Sequence, residues 1–222
     1  EVSDQAKRGH YILQPHDNSE NTFRRFCEEA FKRGNLAIFW DEAHSFLSKQ
    51  KMLKEFNNCI KSISKQSHLP EIIIISDDKS DTYVNDVELP HQIFYPRYIK
   101  PRWWIRHHNP FNDYFNQVIS LIPDGNFIYY LDDDDELVDV DWIKTIIEND
   151  ANILIARFQL GKSHNNILIG DKVERGNIGT SCIAIKSEIA REFKWPSRAA
   201  GDYFFIKQVV KKYSLPLHNP RN

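Results

Sequence analysis

Three unbroken apolar runs constrain this chain more than any other feature: Leu36–Trp40 (LAIFW), Ile72–Ile75 behind Glu71, and Phe127–Leu131 (FIYYL). Each is short, and none alternates apolar with polar residues, so each predicts a strand covered on both faces. Stretches of helical spacing lie between them. Met52–Gln66 puts Leu53, Phe56, Ile60 and Ile63 on one stripe, Phe111–Leu121 forms a second helix, and Asp139 or Asp141 caps a third that runs through Ile147. Further strands are expected over Gln92–Tyr95, Ile153–Leu160, Ile167–Ile169 and Cys182–Ile185, with a closing helix over Asp202–Tyr213. Residues 1–17 are polar and read as loose, and Asn18 or Ser19 caps a helix over Thr22–Arg33 that Gly34 ends. Apolar strands alternating with amphipathic helices predict the α/β class, with a Rossmann-like, doubly wound, mainly parallel sheet in a single domain.

In such a sheet ligands bind beyond the carboxyl ends of the strands. Two of the runs deliver acids there: Ile72–Ile75 leads into Asp77-Asp78, and Phe127–Leu131 leads straight into Asp132-Asp133-Asp134-Asp135. Four consecutive carboxylates repel one another, and a divalent cation relieves that repulsion. Magnesium and manganese take oxygen ligands and are commonly held by one or two protein carboxylates plus substrate phosphates. An acidic run standing alone is usually only a solvated turn; its place at a strand end is what favours metal.

Bulk properties exclude several classes. Hydrophobic residues at 41% and charged residues at 27% are a globular mixture with enough apolar material for a core. A formal net charge of −2 leaves no basic footprint for nucleic acid. Cys27, Cys59 and Cys182 are few, odd in number and without CxxC spacing, so reduced buried thiols are expected, and with them a cytoplasmic setting. The polar stretch Glu1–Gly34 does not read as a signal peptide, and no apolar run approaches the ~20 residues that span a bilayer. Arg97, Lys100, Arg102, Trp103, Trp104 and Arg106 form a basic-aromatic stretch that leaves peripheral membrane contact open.

The order and spacing of Leu36–Trp40, the helix over Met52–Gln66, EIIIISDDKSD (Glu71–Asp81) and FIYYLDDDDELVD (Phe127–Asp139) resemble glycosyltransferase family 2, whose fold is GT-A. The resemblance covers roughly residues 36–213. It implies residues 1–35 as an N-terminal extension and 36–222 as the GT-A domain, with 36–139 the nucleotide-sugar half and 140–222 the acceptor half. By it, Asp132 and Asp134 fill the DxD pair that meets metal and nucleotide, with Asp133 and Asp135 beside them. Asp77 and Asp78 fall where the family contacts the base, and Phe115-Asn116 stands where it often has Arg-Asn. The chain departs from the pattern at Asp41-Glu42-Ala43, after the first strand, and at Lys79, where glycine is usual.

The resemblance further implies a metal-dependent transfer of sugar from a nucleoside-diphosphate sugar, UDP-sugar favoured, to a glycan or glycosylated acceptor, with Mn2+ or Mg2+ as cofactor. AAGDYFF (Ala199–Phe205) stands where inverting members place a general base, which points to Asp202; a helix cap is the plainer role for the same residue. His218 in LPLHNP falls where some GT-A enzymes place a late metal ligand. Arg106, with Arg102, His107 and His108, is a candidate for the diphosphate, and Trp103, Trp104 and Trp195 for sugar stacking or for the core.

Two other classes compete. Asp41-Glu42-Ala43-His44 after LAIFW resembles the Walker B strand of a DEAH-type ATPase, with Gly161-Lys162-Ser163 a near miss for its phosphate loop. That loop needs an earlier glycine, must open a helix, and normally comes first. A non-catalytic nucleotide-sugar-binding module is the other; only turnover separates it from an enzyme.

Overall fold

The computed structural model describes residues 11–13, 37–41, 49–77, 79, 82–97, 109–160 and 167–213. The main sheet contains β1 (Tyr11–Leu13), β2 (Ala37–Asp41), β3 (Glu71–Ile75), β4 (His91–Phe94), β5 (Phe127–Tyr130), β6 (Ile153–Ile155) and β9 (Ile183–Lys186). A separate ribbon pairs β7 (Phe158–Gln159) with β8 (Leu168–Ile169). The described helices are α1 (Lys49–Ser64), α2 (Pro110–Ile119), α3 (Trp142–Ile147), α4 (Ser187–Arg191) and α5 (Gly201–Tyr213).

Strand order is β1-β4-β3-β2-β5-β9-β6. Every neighbouring pair from β1 to β5 is parallel, and β9 runs antiparallel to both β5 and β6. This is the mainly parallel α/β sheet that the apolar runs predicted. The reason is visible strand by strand, because successive side chains point to opposite faces. Ile73, Ile75, Ile128 and Tyr130 join one core with Phe115 and Val118 of α2 and Phe205, Ile206 and Val209 of α5. Ile72, Ile74, Phe127 and Tyr129 join the other with Phe56 and Ile63 of α1 and Trp142, Ile143 and Ile146 of α3. Both faces are covered, so neither phase of these strands can be polar.

Two expectations are corrected. Residues 1–17 are not uniformly loose: Tyr11-Ile12-Leu13 pairs in parallel with Gln92-Ile93-Phe94 and forms the sheet's edge. The run Ile153–Leu160 is not one strand. After β6 the chain leaves the main sheet at Ala156, whose N–H bonds the Cys182 carbonyl at 2.7 Å, and pairs again as β7. Gly170 permits this crossing. Its φ is +96°, and a Cβ there would lie 2.1 Å from the Ala156 carbonyl oxygen. The helix expected over Thr22–Arg33 lies outside the described residues.

Candidate active site

Parallel pairing sends β2, β3, β4 and β5 out at one edge. Asp41 is level with Ile75 of β3, Ile75 with Phe94 of β4, and Phe39 with Tyr130 of β5. Asp41 and Asp132 each stand two residues past the last β2–β5 pair, Phe39 with Tyr130, at that same edge. Asp77 follows two residues after Ile75 on the same edge and is exposed. Antiparallel β9 starts where β5 finishes. Tyr129 pairs with Ala184, so Ser181 falls opposite Asp132.

That pairing builds the acidic turn. The Asp135 N–H bonds the Asp132 carbonyl at 3.1 Å, closing a four-residue turn. The Ser181 hydroxyl accepts from the Asp132 N–H at 3.1 Å and donates to Oδ2 of Asp135. The Cys59 thiol of α1 approaches the Asp132 carbonyl at 3.8 Å. Buried Tyr129 donates to the Ser181 carbonyl at 2.8 Å. The turn is therefore tied to α1 behind it and to β9 beside it. Asp133 is 3% exposed, Asp132 and Asp135 are half-buried, and Asp134 faces solvent.

Crowding and burial shape the charges. Burial first, then Asp135, Asp134, Asp133 and Asp202, hold the Asp132 carboxyl well above the usual carboxylate range. Burial, with Asp134 next and Glu55 of α1 contributing, pushes Asp133 up to about 7. Asp135 also rises to about 7 through burial and Asp134, although the Ser181 hydrogen bond pulls the other way. Each group holds a proton more readily than a free aspartate does, or would accept a cation in its place.

Asp202 lies in the first turn of α5. On a helical wheel it shares the inward face with buried Phe205, Ile206 and Val209. Its Oδ1 accepts from the adjacent Tyr203 N–H at 2.7 Å, which differs from a capping bond to the second or third helical N–H. Burial raises its carboxyl while that bond and its own N–H lower it. Its charge adds to the upward push on both Asp132 and Cys182. Gly201, just before Asp202, is tightly packed. A Cβ on Gly201 would lie 2.1 Å from Nδ2 of buried Asn112 and 2.9 Å from the Pro196 carbonyl. Ala200 has a left-handed φ of 57°.

Asn116 does not reach for a ligand in this geometry. Its Nδ2 donates to the Trp195 carbonyl at 3.0 Å and its Oδ1 accepts from the Trp195 N–H at 2.9 Å, which locks α2 to the segment before α5. Trp195 is a core residue rather than a sugar platform: it is 1% exposed and stacks on Phe205 at 4.5 Å between centroids. Lys79 sits over the Tyr95 ring at 5.7 Å. Cys59 and Cys182 are free and buried, as expected. Asp78, Trp103, Trp104, Arg106, His107, His108 and His218 lie outside the described residues. Sequence reasoning missed Ser181, Cys59 and Glu55. Their link to the turn is made by strand and helix packing, which leaves no mark in local spacing.

Among the described residues no three His, Cys, Asp or Glu side chains form a closed metal cage. The donors do fit half of a magnesium or manganese site. They are all oxygen, they crowd like charges that a cation would relieve, and solvent-facing Asp134 stands two residues from Asp132. The phosphate-loop reading does not fit. The Leu160 N–H bonds the Ile167 carbonyl at 2.9 Å between β7 and β8. Gly161-Lys162-Ser163 itself lies outside the described residues, and the described chain after it resumes as β8, a strand, where a phosphate loop would lead into a helix.

No described helix is long and apolar enough to cross a membrane. No protein-family model matches the sequence, and no curated protein matches it. Among solved structures it is similar to 4-diphosphocytidyl-2C-methyl-D-erythritol synthase from Anaerococcus prevotii DSM 20548, with 9% identity, a TM-score of 0.45, and coverage of 83% of this chain and 86% of that one. At that level of overlap, function has to be argued from the acidic edge itself.

Proposed function

We propose that this chain is a metal-dependent glycosyltransferase that moves a sugar from a nucleoside-diphosphate sugar, UDP-sugar favoured, to a hydroxyl of a glycan or glycosylated acceptor. The observation that carries the reading is the Asp132–Asp135 turn, tied to β9 and α1 at the carboxyl end of β5, with Asp202 on the inward face of α5. Asp132 and Asp134 would hold Mn2+ or Mg2+, which supplies charge neutralisation to a diphosphate leaving group. Asp77, on the same edge two strands away, would contact the nucleoside, with Asp78 next in sequence. Ser181 and Cys59 fix the turn, so its carboxylates need little reorganisation when a ligand arrives.

Asp202 takes the proton of the acceptor hydroxyl as its oxygen bonds to the anomeric carbon and the bond to the diphosphate breaks. A carboxylate lifted by burial is a stronger base than a free one. Such a single displacement inverts the anomeric configuration. Calorimetry of UDP binding, with manganese and with a chelator, tests the reading. The expected result is tight binding only with metal, lost in Asp134→Ala with the fold intact. Equal affinity in both conditions would sink the metal role.

A further inference from the structure

The helix that carries Asp202 inward presents a second, unrelated surface outward. Phe204, Lys207, Gln208 and Lys211 recur at i, i+3, i+4 and i+7, and so share the face of α5 opposite Asp202. With Pro196 and Arg198 they line an open cleft of about 290 Å³. Three of the six lining residues are cations and none is an acid. No ion pair among the described residues engages Arg198, Lys207 or Lys211.

The wall of the cleft is built, not loose. Buried Asn112 donates to the carbonyls of Pro196 and Arg198 at 2.7 and 3.1 Å, and the Arg198 N–H bonds the Pro196 carbonyl at 2.7 Å. The Arg198 guanidinium lies 3.5 Å from the centroid of the Phe204 ring. A guanidinium held over a ring can still offer its fork of donors to a phosphate in two places. Lys207 is held over Tyr203 at 5.2 Å, and Gln208 donates to the Phe204 carbonyl at 2.9 Å. The volume falls at the lower end of small-molecule sites, which combine an apolar floor with a few polar groups.

We propose that this cleft binds a small organic phosphate, its phosphate held by Arg198, Lys207 and Lys211 and its carbon body resting on Phe204 and Pro196. The site is separate from the acidic edge and does not depend on the glycosyltransferase reading. NMR titration of the whole chain with phenyl phosphate, inorganic phosphate and phenol tests it. Saturable shifts at Phe204, Lys207 and Lys211 are expected with phenyl phosphate, with affinity at least tenfold above that for phenol and above that for inorganic phosphate. Lys207→Ala/Lys211→Ala should weaken phenyl phosphate at least tenfold while keeping the spectrum of the core, since both side chains are exposed. Chelator and Asp134→Ala should leave the titration unchanged, which separates this site from the metal edge. Equal binding of phenol, unchanged binding by the double variant, or non-saturating shifts would overturn the phosphate site, and equal binding of inorganic phosphate would overturn the role of Phe204 and Pro196. Co-sedimentation with phosphatidylcholine–phosphatidic acid vesicles, dependent on the same lysines and without any soluble phenyl phosphate binding, would assign the surface to a lipid headgroup instead.

Discussion

Asp202 and Ser181 do different work at the same edge, and substitution separates them. Asp202→Asn keeps an oxygen able to accept the Tyr203 N–H, so folding should be little changed. If Asp202 is the base, turnover with a UDP-sugar and acceptor should fall ~10²–10⁴-fold while UDP affinity with manganese stays near normal. Near-normal turnover, measured by product formation, would reduce the residue to a helix-start acid. Ser181 touches no substrate in the proposed mechanism. Ser181→Ala strips the Asp132 N–H of its acceptor and Asp135 of its donor. Each stranded partner costs roughly 1–3 kcal/mol where water cannot replace it. The expected signature is a lower urea midpoint together with weaker UDP–manganese binding, since the turn loses its tie to β9. A variant of unchanged stability and affinity would show that the turn holds its shape without β9.

Elements were legible where one stretch of chain decides its own burial, and illegible where two distant stretches decide it together. β3 and β5 announced themselves because both faces are covered, which forces Ile72–Ile75 and Phe127–Tyr130 to be apolar throughout. β1 did not, because Tyr11-Ile12-Leu13 is only three residues long and is itself the edge strand, paired with β4 far along the chain. The break between β6 and β7 depends on Gly170 passing the Ala156 carbonyl, a contact no local pattern records. The acidic turn was visible as a run of letters; the elements that hold it, β9 through Ser181 and α1 through Cys59, were not. The start of α5 shows the limit most clearly. Nothing local to Gly201 shows that Asn112 packs against it and anchors the Pro196–Arg198 wall. Gly201→Ala should therefore act as overpacking and cost about 1–3 kcal/mol of stability in thermal or urea melts. By pushing α5 away it should also lower turnover through Asp202 without removing any catalytic atom. An alanine variant as stable as the parent would mean that Asn112 can move aside freely.

At the scale of the whole molecule, the sheet delivers acids to one edge, and the edge is costly to hold fully ionised. Asp133 and Asp135 titrate near 7 in the fold against about 3.9 in an unfolded chain, and Asp132 and Asp202 are shifted in the same direction. The sign follows from proton binding. Between about pH 4 and 7 the folded protein keeps protons that the unfolded chain has released, so stability falls as pH rises through that window, and the penalty is complete above it. Glu188 is shifted the other way and matters only as pH falls below its ordinary range, outside this window. In chelator, then, the melting temperature should be higher at pH 5.5 than at pH 8. The two carboxylates interact with each other, so the combined effect should be on the order of a few kcal/mol rather than the sum of separate shifts. Manganese should reverse the trend. At pH 8 it finds ionised ligands and relieves their repulsion, so it should raise the melting temperature strongly; at pH 5.5 protons already occupy the edge and the increment should be small. Asp135→Asn should flatten the chelator profile, because one of the raised groups no longer titrates. A melting temperature that is level from pH 5.5 to 8 in chelator, or a manganese increment that is the same at both pH values, would show that the acidic turn is solvated after all and that the edge is not poised for a cation.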